Sequence, residues 1–130
     1  LIAVLETRAG LNLRDRDVFV SVAGGLTVDE PAVDLAIALA LASALTGKAV
    51  PADLVMIGEV GLGGEVRGCG HLARRLREAA KLGFKRALAP RSVAEAEEEP
   101  PDLAIVPCDT VREAIRRILA TETGDAKRTA

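Results

Sequence analysis

The chain has 130 residues and a net charge of −2, with 49% hydrophobic and 28% charged residues. This length and balance predict one folded domain with a single core and exclude a disordered chain. Only Phe19 and Phe84 are aromatic, so the core must be aliphatic, and the shortage of rings argues against reading single-stranded bases by stacking. No uncharged apolar run could span a membrane and no signal peptide is visible, so we expect a cytoplasmic protein without a membrane partner.

The two cysteines, Cys69 and Cys108, lie far apart in the chain, and neither belongs to a C-x-x-C motif. Zinc ligation within this chain is therefore not expected, and two reduced thiols are the favoured interpretation. A single structural disulfide is the alternative that the sequence leaves open. The chain also begins at Leu1 inside an apolar run, without an initiator methionine, which favours a fragment whose partner domains lie upstream.

The first half of the chain is predicted to alternate helices and strands, because apolar spacing, β-branched runs and glycine turns follow one another. The predicted elements are a helix end at Leu1–Gly10, strands at Asp17–Val22 and near Leu26–Val28, a turn at Ala23–Gly25 and a helix at Ala32–Leu45. Pro31 opens this helix at the position that proline prefers, and Asp34 is expected to stabilise its positive end. Because the helix is apolar almost all round, we expect it to be buried on most faces.

The second half of the chain is predicted to contain a glycine-rich hairpin followed by an amphipathic helix. The predicted elements are a strand at Leu54–Ile57 in the centre of the sheet, the hairpin at Gly58–Gly70, the helix at His71–Leu82, strands at Arg86–Ala89 and Leu103–Val106, and a helix at Thr110–Leu119. Asp109 is expected to cap the last helix, and Gly83 to end the amphipathic one. The acidic stretch Glu95–Asp102 is expected to connect two strands. Thr121–Ala130 is expected to be a frayed tail after a domain of residues 1–120, and the elements together predict an α+β fold with two layers.

The charge of the chain is distributed unevenly. Eight basic residues and one acidic residue lie within residues 67–91, so this segment has a local net charge of +7. The spacing of Arg74, Arg77 and Lys81 places them together on the helix face opposite to the apolar one. The candidate phosphate-binding residues are Arg67, Arg74, Arg77, Lys81, Lys85 and Arg86. Charged helix faces also serve solubility alone, and in a ring these residues could instead pair with the acidic Glu95–Glu99 of a neighbour.

Several strings resemble the proteolytic domain of Lon-type serine proteases. These strings are Ser43–Gly47, Val50–Asp53, Ile57–Val60, Gly64–Val66, His71–Ala80 and Gly83–Lys85 running to Pro90. In active members of that family a proline directly precedes the catalytic serine, and a catalytic lysine lies near the start of the helix after the hairpin. The matching positions here hold Ala32, which follows Pro31, and Ala73. A Ser–Lys mechanism needs a hydroxyl nucleophile and an amine base, so the resemblance implies a Lon-like fold without peptidase activity.

A second set of strings is longer and more specific. It consists of Asp17–Val20, Val22–Gly25, Glu30–Pro31, Asp34–Ala36, Gly58–Leu62, Gly64–Arg67 and Glu78–Phe84. These strings resemble the Lon-like C-terminal domain of the RadA family of bacterial DNA repair proteins, roughly over residues 1–120. The resemblance implies a cysteine-type zinc module and a RecA-like ATPase upstream, with ATP, magnesium and zinc bound there and no cofactor in this chain.

The same resemblance implies a hexameric, ATP-driven DNA motor that promotes branch migration during recombinational repair. The Lon-like domain would then be a non-proteolytic scaffold for ring assembly and DNA binding. Two alternatives stay open: a degenerate protease-fold domain used only for protein contacts in another machine, and an active peptidase with a different dyad. Nucleotide binding by the hairpin is not expected, because Gly58–Gly64 contains no lysine and therefore no Walker motif.

Overall fold

The computed structural model describes residue 4, residues 7–10, residues 31–96 and residues 100–119. The predicted strands at Asp17–Val22 and Leu26–Val28, the turn at Ala23–Gly25 and the tail at Thr121–Ala130 lie outside the described residues. The domain boundary after residue 120 lies outside them as well. Within the described residues, no helix combines the length and the apolar character needed to cross a membrane.

The described elements follow one another largely as the periodicity predicts. In chain order they are the 3₁₀ turn Pro31–Val33, helix α1 (Asp34–Thr46), strands β1 (Leu54–Met56), β2 (Glu59–Val60) and β3 (Val66–Arg67), helix α2 (Leu72–Lys81), strand β4 (Arg86–Pro90), helix α3 (Arg91–Ala96), strand β5 (Ala104–Cys108) and helix α4, described over residues 111–119. Helix α3 was not predicted, because the acidic stretch that overlaps its end indicated a connection. The predicted helix end near the start of the chain agrees with helical Thr7 and Arg8, followed by Gly10 at a φ of +73°.

Strands β1, β4 and β5 form a parallel sheet in that order, and β2 and β3 form a separate antiparallel hairpin. Leu54 lies opposite Arg86, and Arg86 lies opposite Ala104. In the described sheet β4 is therefore the central strand, which corrects the prediction that Leu54–Ile57 is central. Both runs are apolar, and hydrophobicity alone does not say which of two buried parallel strands has a neighbour on each side.

Helices cover both faces of the sheet. Successive side chains along each strand point to opposite faces, so they pack into two separate cores. The core on one face, called the α1/α4 core, includes Leu35, Leu39, Leu54, Leu88, Cys108, Val111 and Ala114. The core on the other face, called the α2 core, contains Ala32, Ile57, Leu72, Leu76, Ala79, Ala87 and Leu103. The predicted α+β fold is confirmed, and its described part has a helix layer on each side of the sheet, one layer more than predicted.

Helix α1 is buried or half-buried over most of its surface, as its apolar composition predicts. Leu35, Ala38, Leu39 and Ala42 are fully buried, and the half-buried Leu41 and Leu45 pack against the same core. Of the apolar residues of this helix, Ala40 and Ala44 alone are exposed. The expectation of burial on most faces is therefore confirmed.

The start of helix α4 is capped by Thr110 and not by Asp109. Thr110 Oγ1 accepts a hydrogen bond from the backbone N–H of Glu113 at 3.1 Å, and the Glu113 carboxylate accepts one from the N–H of Asp109 at 3.0 Å. This reciprocal arrangement is close to a capping box. The Asp109 carboxylate instead accepts hydrogen bonds from Arg91 Nε at 3.1 Å. The predicted cap is therefore wrong by one residue, because Arg91 competes for the carboxylate.

The glycine-rich hairpin is confirmed and is fixed to the domain at three points. The N–H of Val60 donates to the Asp34 carboxylate at 3.1 Å, the N–H of Val66 to the Asp109 carbonyl at 2.8 Å, and the N–H of Val111 to the Gly64 carbonyl at 2.8 Å. These bonds hold the hairpin against the starts of α1 and α4.

Both cysteines are free thiols, as the favoured interpretation predicts. Cys108 is fully buried in the α1/α4 core, whereas Cys69 is half-buried. Burial raises the pKa of the Cys108 thiol to about 12, so this side chain is protonated and unreactive in the folded protein at neutral pH.

Candidate nucleic-acid interface

Helix α2 presents the face that the sequence predicts. Leu72, Leu76 and Ala79 are buried against the sheet. Arg74, Arg77 and Lys81 are exposed. The helix ends at Lys81, and Gly83 stops it as predicted: its φ is +96° and its N–H donates to the Ala80 carbonyl at 3.1 Å. The surface formed by Arg74, Arg77 and Lys81 is called the basic face below.

Three of the six predicted phosphate-binding residues are held in ion pairs. Arg67 Nη2 lies 2.6 Å from a Glu65 carboxylate oxygen, Arg86 Nη2 lies 2.9 Å from an Asp53 oxygen, and Lys81 Nζ lies 3.6 Å from a Glu78 oxygen. Arg67 belongs to the hairpin and Arg86 to β4, so they lie on elements other than α2. Each would have to exchange its carboxylate for a phosphate before it could contact DNA.

The pKa values of two of these carboxylates reflect the contacts. The hydrogen bond from Arg86 holds the pKa of Asp53 below its usual value. The pKa of Glu65 is lowered first by a backbone N–H bond and then by Arg67. Both carboxylates are therefore ionised at neutral pH, the state in which they pair with Arg86 and Arg67.

The other three predicted residues have no such partner. Arg74, Arg77 and Lys85 are exposed, and the side chain of none of them forms a hydrogen bond or an ion pair with another residue in the described ranges. Cations that are unpaired in the free protein can contact phosphate without first breaking an internal bond. The structure thus separates the six candidates into a paired set and an unpaired set, a distinction that the sequence did not contain.

A pocket of about 460 Å³ lies beside α2, between this helix, β1 and the turn that precedes α1. Its lining residues are Ala32, Val33, Val55, Met56, Ile57, His71, Arg74, Arg75, Glu78, Ala79, Leu82 and Phe84. Ala32, at the predicted serine position, is 4% exposed and belongs to the α2 core. Ala73, at the predicted lysine position, is half-buried on α2 but does not line the pocket.

Arg75 lines this pocket but is not among the six predicted phosphate-binding residues. Its Nε donates to the Gly70 carbonyl at 3.0 Å, and its side chain is half-buried. Its position on the helix could have identified it as a pocket residue, because Arg75 lies about 100° around the helix axis from Arg74, between the basic face and the apolar face.

Two serines, Ser43 and Ser92, lie within the described residues, and neither lines the pocket. Ser43 Oγ donates to the Lys48 carbonyl at 2.5 Å, so its hydroxyl proton is bound by a backbone oxygen just past the end of α1. Ser92 is exposed on α3. In the same part of the chain, no group of three or more histidine, cysteine or carboxylate side chains is arranged to hold a metal ion.

The family model for the Lon protease (S16) C-terminal proteolytic domain matches residues 6–126. The chain belongs to this family. Its curated relatives include the DNA repair protein RadA of Aquifex aeolicus, which is 49% identical over 115 residues, or 88% of this chain and 25% of the relative. The RadA proteins of Listeria monocytogenes and Bacillus subtilis are 42% and 45% identical over 119 and 120 residues, 92% of this chain and 26% of each relative.

These comparisons confirm both resemblances that the sequence strings indicate, to the Lon proteolytic domain and to RadA. The chain spans about a quarter of the length of the RadA relatives that it matches. The site thus consists of a Lon-family fold with alanine at both predicted catalytic positions, an exposed basic helix face and an adjacent pocket.

Proposed function

We propose that this chain is a non-proteolytic Lon-like domain that binds DNA and assembles into a ring within a RadA-type DNA repair motor in the bacterial cytoplasm. The main support is the basic face with its unpaired Arg74 and Arg77, on a chain that is similar to DNA repair proteins. In this proposal the motor drives branch migration, and its ATP, magnesium and zinc sites lie in the part of the relatives that this chain does not match.

Phosphate contact is the mode of DNA binding that the basic face supports. Arg74, Arg77 and Lys81 lie along about 10 Å of the helix axis, at a rise of 1.5 Å per residue. Exposed guanidinium and ammonium groups on such a line can contact successive phosphates of one strand, and phosphate contacts contain no base sequence information. Lys85 extends the line beyond the helix end, while Lys81 would first exchange its 3.6 Å pair with Glu78.

The absence of peptidase activity is the second part of the proposal. Alanine supplies neither a nucleophile nor a base, so Ala32 and Ala73 cannot form the Ser–Lys dyad that the family uses. A serine-directed acylating probe is expected to leave the chain unlabelled, as judged by intact mass. Stoichiometric labelling of any serine would contradict this part of the proposal.

DNA binding is tested by titrating a fluorescent single strand with the protein across a salt series. The double variant Arg74→Glu/Arg77→Glu removes two proposed contacts. Its matched control is Arg112→Glu/Arg116→Glu, because these arginines are exposed on α4 and the variant makes the same change in net charge. The plot of log affinity against log salt is expected to flatten by about 1.4 for the first variant, at roughly 0.7 per phosphate on single strands, and to change much less for the control.

Two results would contradict the proposed interface. An equal loss of DNA affinity in both variants would mean that only the net charge of the protein matters. An unchanged salt slope of log affinity in the Arg74→Glu/Arg77→Glu variant would place the DNA site elsewhere. The mass of every variant in solution is recorded in parallel. If charge reversal on the basic face dissociates an assembly but leaves DNA affinity unchanged, the face serves contacts between subunits, which is the protein-interaction alternative.

A further inference from the structure

The pocket beside α2 lies next to the basic face and shares Arg74 with it. Around the helix axis, the pocket residues Glu78, Leu82 and Arg75 lie on one side of Arg74. The other two residues of the basic face, Arg77 and Lys81, lie on its opposite side. A strand whose phosphates follow the basic face would therefore have the pocket along one flank. The proposed phosphate contacts make no use of this cavity.

The walls of the pocket are apolar and its rim is polar. The walls include Ala32, Val55, Ile57 and Ala79, together with Phe84, whose side chain is half-buried. The volume of about 460 Å³ lies in the range of small-molecule sites, which combine apolar walls with a few convergent polar groups. Such a cavity suits a flat, mainly apolar ring with polar atoms on one edge.

The polar rim offers both a donor and an acceptor. Arg74 is an unpaired donor, and the Glu78 carboxylate is an acceptor whose contact with Lys81 is long, at 3.6 Å. Guanidinium groups donate to ring nitrogen and carbonyl acceptors of bases, and carboxylates accept from exocyclic amino groups. A nucleobase presents both kinds of atom, and its own phosphate would remain near Arg74.

We propose that this pocket accepts one unstacked base of the DNA strand whose phosphates lie on the basic face. The inference rests on the proposed DNA binding and adds a structural preference to it. A base inside a duplex is stacked and paired, so it cannot enter the pocket without being extruded, whereas a base in a single strand can. The domain therefore favours single-stranded DNA over duplex DNA, although it does not contain the exposed aromatic row that most such proteins use.

The first test needs no protein variant. The affinity of the chain is measured for a short deoxyoligonucleotide and for a strand of equal length in which every internal base is replaced by an abasic tetrahydrofuran. The phosphates are the same, so the salt dependence should not change. The abasic strand is expected to bind about tenfold more weakly, the size of the effect that one base contact typically has.

The second test assigns the effect to the pocket. Val33→Phe places a ring in the wall, and Leu62→Phe adds the same ring at the hairpin tip, where the native side chain is 87% exposed. The tenfold difference between the two strands is expected to disappear in Val33→Phe and to persist in Leu62→Phe. If Val33→Phe does not fold, Leu82→Ser on the 76% exposed rim should also reduce the difference without disturbing the core.

The outcomes separate the two proposals. Equal binding of both strands by the unmodified chain would overturn the base pocket and leave phosphate binding intact. A difference that persists in Val33→Phe and in Leu82→Ser would place the base contact elsewhere and overturn the pocket as well. No binding of either strand at low salt would overturn both proposals.

Discussion

Removing the Asp34 side chain should loosen the hairpin from helix α1. The carboxylate lies in the first turn of this helix and accepts the N–H of Val60 across 26 residues of sequence. Asp34→Ala leaves that N–H without its partner and removes a negative charge from the positive end of the helix. Asp34 lies two residues after Ala32, the predicted serine position, so the variant also tests whether this carboxylate has a structural or a chemical role.

The size of the loss follows from two effects. A hydrogen bond to a charged acceptor contributes about 1.5 kcal/mol when it is partly exposed to water, as this 3.1 Å bond is. The interaction of the charge with the helix dipole adds about 0.5 kcal/mol. Asp34→Ala should therefore lower the free energy of unfolding by about 2 kcal/mol, which corresponds to a fall in Tm of about 8 °C for a domain of this size. Asp34→Asn retains an oxygen acceptor and should lose about half as much.

Urea denaturation followed by circular dichroism measures the free energy, and amide exchange at Val60 reports the hairpin directly. Glu59→Ala is the matched control, because this hairpin carboxylate has no hydrogen-bond partner among the described residues, and its removal should change stability by less than about 0.5 kcal/mol. DNA affinity should be nearly unchanged in all three variants. If Asp34→Ala is as stable as the unmodified chain, or if Val60 exchanges no faster, the proposed anchoring of the hairpin is refuted.

Three further results are expected. Thr110→Ala should lower the free energy of unfolding by about 1 kcal/mol in urea denaturation, whereas Asp109→Ala should cost clearly less, because Thr110 is the cap; the reverse order would contradict the observed cap. Burial raises the pKa of the Cys108 thiol from its ordinary value of 9.0 to about 12, so this thiol loses its proton at lower pH in the unfolded chain than in the folded one. The free energy of unfolding should therefore fall between pH 9 and pH 12 by up to about 1.4 kcal/mol per pH unit. Cys108→Ala should abolish that part of the pH dependence, and an identical pH profile in the variant would refute it. In a fluorescence titration with single-stranded DNA, Arg86→Ala should weaken binding less than Arg77→Ala, because Arg86 is already paired; equal losses would show that the pairing does not restrict the arginine.

Local signals predicted the elements that depend on short stretches of chain. Helix α2 follows from the spacing of Leu72, Leu76 and Ala79, and its end follows from Gly83, whose backbone takes the left-handed conformation that glycine adopts without strain. The hairpin follows from its glycines. In each case the residues that produce the signal also form the element, so periodicity and turn chemistry were sufficient.

Elements that depend on competition between distant residues were predicted less well. Asp109 and Thr110 are both good helix caps, and Thr110 caps the helix because Arg91 binds the Asp109 carboxylate. Strand β4 is central because both β1 and β5 pair with it, which their own sequences do not reveal. The sequence makes six basic residues equivalent candidates for phosphate contact. The structure distinguishes them, because Asp53 pairs with Arg86 and Glu65 pairs with Arg67.

The sequence by itself determined the family, the alanines at positions 32 and 73, and the basic face of α2, because each is a property of residue identity or of spacing within one element. Only the tertiary structure decided which cations are unpaired and that a pocket lies between Ala32 and helix α2. Ion pairs and pockets arise where segments distant in the chain meet, as Asp53 and Arg86 do across 33 residues. Their geometry is set by the packing of the whole domain, so no local pattern contains it.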